Sequence, residues 1–491
     1  VATLNVSASA AGLFLFLRSF EMTKKVVTTT ALLVLLLCAL PAFAQTAANA
    51  AAPPAKVDSG DTAFVLISSA LVLMMTIPGL ALFYGGMVRT KNVLGTLMQS
   101  FILAGLISVQ WALWGYSISF ATGNSLIGGL NWLGLHNVGF LPNPDYAATI
   151  PHQAYMVFQL MFAIITPALM TGAFAERMKF PTFLIFSLAW ATFIYDPLAH
   201  WVWGTGGWLH NLGALDFAGG TVVHISSGVS ALVAILIIGK RLGYGVEPVA
   251  PHNLPFTVIG ASLLWVGWFG FNAGSALQAN GLAVSAFVVT HMAAAAAALS
   301  WCISEWIAKG KPTMLGAASG AVAGLVAITP GSGFVGPLSA IIIGLTAGVI
   351  CYSACMVKAR FGYDDSLDVV GVHGVGGVFG ALATGIFASK AINPAGADGL
   401  IYGNFATFKV QLIAVGATVA FAGLGTAVIL FALKAVMDLR VSPEEERMGL
   451  DLSQHSESAY TFSNDYDEPT PQWALNQHKS VAVSNPLLDE N

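Results

Sequence analysis

From Asp61 onward the chain alternates long apolar runs with short polar connections. Eleven runs stand out, at residues 63–86, 94–120, 153–175, 182–203, 219–239, 254–276, 281–307, 313–329, 334–357, 367–389 and 404–434. A helix rises about 1.5 Å per residue, so about 20 apolar residues cross a hydrocarbon core. The pattern predicts an all-α membrane protein with eleven transmembrane helices. Basic residues mark one side of it: Arg89 and Lys91 follow the first run, Arg177 and Lys179 the third, Lys240 and Arg241 the fifth. Lys309 and Lys311 follow the seventh, and Lys358 and Arg360 the ninth. The opposite connections carry almost none, with Lys390 the visible exception. Positive charge stays in the cytoplasm, so the mature amino terminus is expected outside and the carboxyl terminus inside.

A repeat lies within this alternation. The fifth run opens Leu215-Asp216 and reaches His224; the tenth opens Leu367-Asp368 and reaches His373. Each histidine follows a valine, has glycine four positions on (Gly228, Gly377) and a small residue seven on (Ala231, Gly380). Five spans separate the two, so the helices run in opposite directions. That is the pattern of an inverted five-plus-five helix repeat, a design that places a site where its halves meet.

Composition agrees. Of 491 residues, 56% are hydrophobic and 9% charged, against roughly 25% charged in a soluble domain, which excludes a water-soluble enzyme. The net charge of −4 names no polyanionic partner and argues against nucleic acid. The apolar surface calls for a lipid bilayer. Cys302, Cys351 and Cys355 lie inside apolar runs without zinc-type spacing, and read as small buried hydrophobes. No metal or cofactor is expected.

The amino terminus has its own logic. Met22-Thr-Lys-Lys, the apolar run Ala31 to Leu40, and Pro41-Ala42-Phe43-Ala44 before Gln45 form a secretory signal peptide over 22–44, cleaved after Ala44. Residues 1–21 read as an upstream extension from an early start assignment. Residues 45–60, Ala/Pro-rich in their first part, form a flexible lead-in. A membrane domain over 61–438 and a cytoplasmic tail over 439–491 complete the chain. Residues 461–491, polar and proline-containing, have the composition of a disordered end.

Ionisable side chains inside apolar spans cost about 2.5–3.5 kcal/mol on insertion scales and mark function by default. His224 and His373 are the standouts. A lone intramembrane histidine is often a hydrogen-bonded core residue; two at matching positions of a repeat point to a shared pathway. Neutral imidazole offers one donor and one acceptor, which suits relay of a small polar molecule or a proton. Counting from opposite faces leaves the pair at different depths, so contact requires helix starts that dip into the protein. Phe158 and Phe162 lie one turn apart at the outer end of the third span, Trp203 ends the fourth, and Phe271 and Ser275 lie one turn apart in the sixth. Singly these read as belt or packing residues; together they could hold a cation against ring faces, worth about 0.5–2 kcal/mol. Asp216 reads as a helix cap with an indirect effect on such a site.

Five stretches carry a family resemblance: Ile77 to Asn92 (IPGLALFYGGMVRTKN), Asp216 to Ile225 (DFAGGTVVHI), Pro251 to Pro255 (PHNLP), Gly267 to Ala276 (GWFGFNAGSA) and Gly371 to Gly374 (GVHG). In order, from about Asp61 to Tyr460, the chain resembles the ammonium transporter (Amt/Mep/Rh) family. The resemblance implies a homotrimer with one pore per subunit. It implies twin pore histidines at His224 and His373 and a phenylalanine gate at Phe162 and Phe271. An outer ammonium site falls at Phe158, Phe162, Trp203 and Ser275, and the motif aspartate at Asp216. Trp203 with Ser275 looks like the bacterial ammonium branch of an inner membrane, rather than a Rhesus-like gas channel. The segment Leu439 to Tyr460 resembles one that couples subunits and meets PII-type signalling proteins. Ammonium and ammonia, with methylammonium as analogue, are the implied cargo. A membrane sensor is the rival class, although no kinase or cyclase domain follows the eleventh run; a membrane enzyme lacks a nucleophile–base set.

Overall fold

The structure, a computed structural model, describes residues 56–247 and 249–460. The extension, the signal peptide, most of the lead-in and the polar end 461–491 fall outside those residues. Among the described residues, eleven helices are long and apolar enough to span a membrane. They are α1 (Ser59–Met87), α2 (Thr90–Phe120), α3 (His152–Met170), α4 (Phe180–Leu212), α5 (Gly220–Ile238) and α6 (Leu254–Gly274). The second half holds α7 (Gly281–Lys309), α8 (Met314–Gly331), α9 (Pro337–Phe361), α10 (Val370–Phe387) and α11 (Phe405–Val436). Among the described residues there is no strand, only the isolated bridges Asn143–Ala147 and Met178–Arg440. The chain is a multi-pass, all-helical membrane protein.

Boundaries follow the apolar runs closely, apart from the end of α3, where the run to residue 175 outlasts the helix, and an added turn in α4. There the continuous helix ends at Trp203, where the predicted span stops, and after residues 204–207 the chain adds the short turn Trp208–Leu212.

Helices α3, α5, α8 and α10 are the most enclosed, and α11 is the least. The two histidine helices are short, at 19 and 18 residues, because each begins inside the protein. Both open with a widened π-helical turn, Gly220–Ile225 and Val370–Val375. An aspartate eight residues before each histidine caps that start. Asp216 accepts from the backbone N–H groups of Gly219, Gly220 and Thr221 at 2.8, 2.6 and 2.7 Å. Asp365 accepts from Val369 and Val370 at 3.1 and 2.8 Å. This corrects one alignment drawn from the sequence: the repeat partner of Asp216 is Asp365, not Asp368. Asp368 pairs with Lys358 at 2.5 Å instead. The shared Leu-Asp dipeptide misled, because capping depends on distance from the helix start and not on the preceding residue.

The expected small residues set the crossing of α5 and α10. A Cβ on Gly228 would lie 2.2 Å from the Gly374 nitrogen, and one on Gly377 would lie 2.9 Å from the His224 Cβ. Each helix thus presents glycine to the other's histidine turn, which lets two backbones approach closely in the way small residues do in lipid.

At the end where the basic residues collect, buried charges form a network. Glu176 takes Arg89 at 2.7 Å and Arg241 at 3.4 Å, and Arg241 also reaches Asp364 at 2.8 Å. Arg177, fully buried, donates to the carbonyls of Gly239 and Asp364 at 2.9 and 2.6 Å. Burial pushes the Glu176 carboxyl up, but Arg241 and Arg89 outweigh it and hold it below the ordinary carboxylate range. The chain after α11 straps across this network as α12 (Pro443–Met448) and α13 (Leu450–His455). Glu446 accepts from the Leu242 N–H at 2.7 Å, Asn92 from Leu450 at 2.8 Å, and Asp451 from Gly95 at 2.8 Å.

A histidine pair between two cavities

The inward-dipping helix starts remove the depth mismatch between the histidines. Their Nδ1 atoms stand 3.2 Å apart, and the rings stack at 5.3 Å and 26°. Both are buried, at 1% and 3% exposure. A hydrogen bond between two Nδ1 atoms needs one donor and one acceptor, so the imidazoles hold opposite tautomers. Two imidazolium rings would present two donors and break it. The outward Nε2 atoms then offer one donor and one acceptor, and that of His224 has no partner within the protein.

Aromatic rings continue the line from His224. Phe271 stacks on it at 6.2 Å, and Phe162 meets Phe271 at 4.3 Å. Beyond them Phe158 lies 5.0 Å from Phe162, and Trp203 5.9 Å from Phe162, both edge-on. Phe158, Phe162, Trp203, Asp216 and Ser275 all line one cavity of about 450 Å³. The Trp203 indole donates to the Asp216 carbonyl at 2.8 Å, which fixes the ring over the cavity, while Ser275 donates to the Phe271 carbonyl at 2.9 Å. The Asp216 carboxylate is consumed by its capping donors. Burial pushes its carboxyl up, against the pull of the Thr221 donors. A second cavity, of about 100 Å³, has His373 in its wall at the opposite end of the pair. A continuous run of ring contacts, Phe162, Phe271, His224 and His373, therefore leads from the wall of the first cavity to the wall of the second.

Residues 63–460 match the Ammonium Transporter Family. The chain belongs to that family. Similar proteins include an ammonium transporter of Bacillus subtilis, 54% identical over 82% of this chain and 99% of the relative. Ammonium transporter Amt1 of Archaeoglobus fulgidus is 49% identical over 82% of this chain and 99% of its own. Among solved structures, Candida albicans Mep2 superposes with a TM-score of 0.76 at 36% identity, covering 82% of this chain and 91% of that one. A structure described as a sensor Amt protein superposes at 0.73 and 28% identity, covering 81% and 98%. This is an ammonium transporter, not an enzyme.

All eight candidate residues either line the larger cavity or belong to the run of ring contacts from it to His373. Two residues that sequence reasoning passed over complete it. Trp268 stacks on His224 at 5.5 Å and 23°, and its indole donates to Thr329 at 2.9 Å; its place three residues before Phe271 was the available signal. Asp365 holds the second helix start, and its spacing of eight from His373, equal to that of Asp216 from His224, was legible. Among the described residues no group of three or more His, Cys, Asp or Glu could hold a metal.

Proposed function

We propose that the transporter docks ammonium in the aromatic cavity, where its proton passes to water as hydronium, and conducts ammonia past Phe162 and Phe271 along the His224–His373 pair. The observation that carries this is the 3.2 Å Nδ1 contact between two buried histidines, one reached from the aromatic cavity through the Phe162 and Phe271 rings and the other lining a second cavity. Ring faces of Phe158, Phe162 and Trp203 attract a cation before it loses water. A bare ion in an apolar bore has no replacement for its hydration, whereas neutral ammonia loses little. Ammonia both donates and accepts, so it matches the donor and the acceptor that the paired imidazoles leave outward. Selectivity against potassium then comes from the proton: only a cation that can become neutral passes.

The surroundings of this pore follow from the same reading. The aromatic cavity faces outward, the strapped tail lies in the cytoplasm of a bacterial inner membrane, and a signal peptide delivers the amino terminus outside. Three subunits assemble, and the segment 439–460 meets a PII-type protein. A sensing role, favoured by the likeness to the sensor Amt structure, would use the same cavity as a receptor.

Purified protein in proteoliposomes tests the mechanism. Methylammonium should enter while potassium does not, and His373→Ala should cut methylammonium flux by at least about tenfold. Potassium entry at a comparable rate, or undiminished selective flux in His373→Ala, would overturn it.

A further inference from the structure

The small cavity beyond His373 combines carboxylates with aromatic faces. Glu305, Asp368, Trp301 and Tyr352 line it, with the Trp301 and Tyr352 rings edge-on at 5.7 Å. Asp368 is already paired with Lys358. Glu305 is only half satisfied. Its Oε2 accepts from the Thr313 N–H and hydroxyl at 3.0 and 2.9 Å, whereas Oε1 is met only by the Lys309 ammonium at 3.5 Å. The same ammonium stands 5.8 Å from the Tyr352 ring centroid. Tyr352 is 6% exposed, lines the cavity, and its hydroxyl has no hydrogen-bond partner.

An ammonium group between a carboxylate and a phenol ring is the chemistry that recognises a small ammonium cation. Lys309 supplies such a group on a flexible tether from the last residue of α7, with its side chain 49% exposed. We infer that Glu305 and Tyr352 form an inner seat for ammonium or methylammonium, occupied by Lys309 as a tethered stand-in until the free cation displaces it. The inference rests on the pore reading above, since it needs ammonia to arrive past His373. Ammonia reaching the cavity takes a proton from hydronium, leaving water and an ammonium ion beside Glu305. The unpartnered Tyr352 hydroxyl gives that ion an acceptor Lys309 does not use. The seat makes release sensitive to the ammonium concentration on the inner side, and Lys309 sets how readily the inner solution loads it.

Methylammonium flux in proteoliposomes of defined protein orientation, measured separately from each face, tests this. Glu305→Gln and Tyr352→Leu should each raise the half-saturating concentration from the inner face about threefold more than from the outer face. Lys309→Ala, which vacates the seat, should lower it from the inner face by a similar factor. Trp203→Ala should act chiefly on the outer face. Glu305→Gln alters the contacts at Thr313, but Tyr352→Leu leaves them intact, so a folded variant remains. Equal shifts at both faces, or no inner-face shift in any of the three, would overturn the seat. Liposomes that carry no methylammonium at all would instead overturn the pore reading.

Discussion

Two imidazoles sharing one hydrogen bond inside a membrane are held by what surrounds them more than by the bond itself. His224 is sandwiched between the rings of Trp268, Phe271 and His373, and the backbones behind it touch through Gly228 and Gly377. Any side chain at Gly228 must push α10 away, since even a Cβ would meet the Gly374 nitrogen at 2.2 Å. Overpacking of this sort costs about 1–3 kcal/mol and moves the His373 turn directly. Gly228→Val is therefore expected to reduce methylammonium flux by roughly tenfold or more while the protein still elutes as a folded species on gel filtration. Retained flux would mean that the histidine separation is not what conduction depends on. The histidines themselves were legible as intramembrane ionisable groups at matching repeat positions. Their contact was not, because uniform helices counted from the two faces put them at different depths.

Secondary elements do their positioning through their ends. The α5 and α10 starts lie inside the protein, where unsatisfied backbone N–H groups would be costly, and Asp216 and Asp365 supply the missing acceptors. At the helix ends where the basic residues collect, the buried ion network plays the same part for connections. Glu176 joins Arg89 before α2 to Arg241 after α5, and Asp364 joins Arg241 and Arg177. Removing one partner of a buried ion pair strands the other, at about 3–5 kcal/mol. Glu176→Gln should thus lower the melting temperature in detergent and expose the tail to protease. The pH dependence has a definite sign. Glu176 and Asp364 both titrate below the ordinary carboxylate range in the fold, so their stabilisation is complete above about pH 4. It is lost as pH falls through the depressed values. Melting should be insensitive to these groups between pH 5 and 8 on the order of that reference, then drop on acidification, and Glu176→Gln should blunt that drop. The charges were visible in the sequence as orientation signals. Their pairing was not, since partners such as Glu176 and Arg241 lie far apart along the chain.

Among the described residues the spanning helices differ in how far they are enclosed, with α3, α5, α8 and α10 the most buried and α11 the least, and the proposed sidedness is checkable. The proposed orientation, with the basic connections inside, predicts that Gly245→Cys resists a membrane-impermeant maleimide in intact cells whereas Gly139→Cys labels; the reverse pattern would invert the orientation. Hydropathy and charge alone determined the span count and the alternation of basic connections, because the bilayer imposes length and sidedness on each segment independently; the matched Val-His and glycine positions of the fifth and tenth runs pointed to the five-plus-five repeat. Motif resemblance pointed to the family that the comparisons bear out. Only the tertiary structure decided where the helices begin in depth, which aspartate caps which start, that the glycines interlock, and that ring contacts lead from one cavity to the other through one histidine pair. Those features arise between segments distant in the chain, where close packing, and not local pattern, selects the geometry.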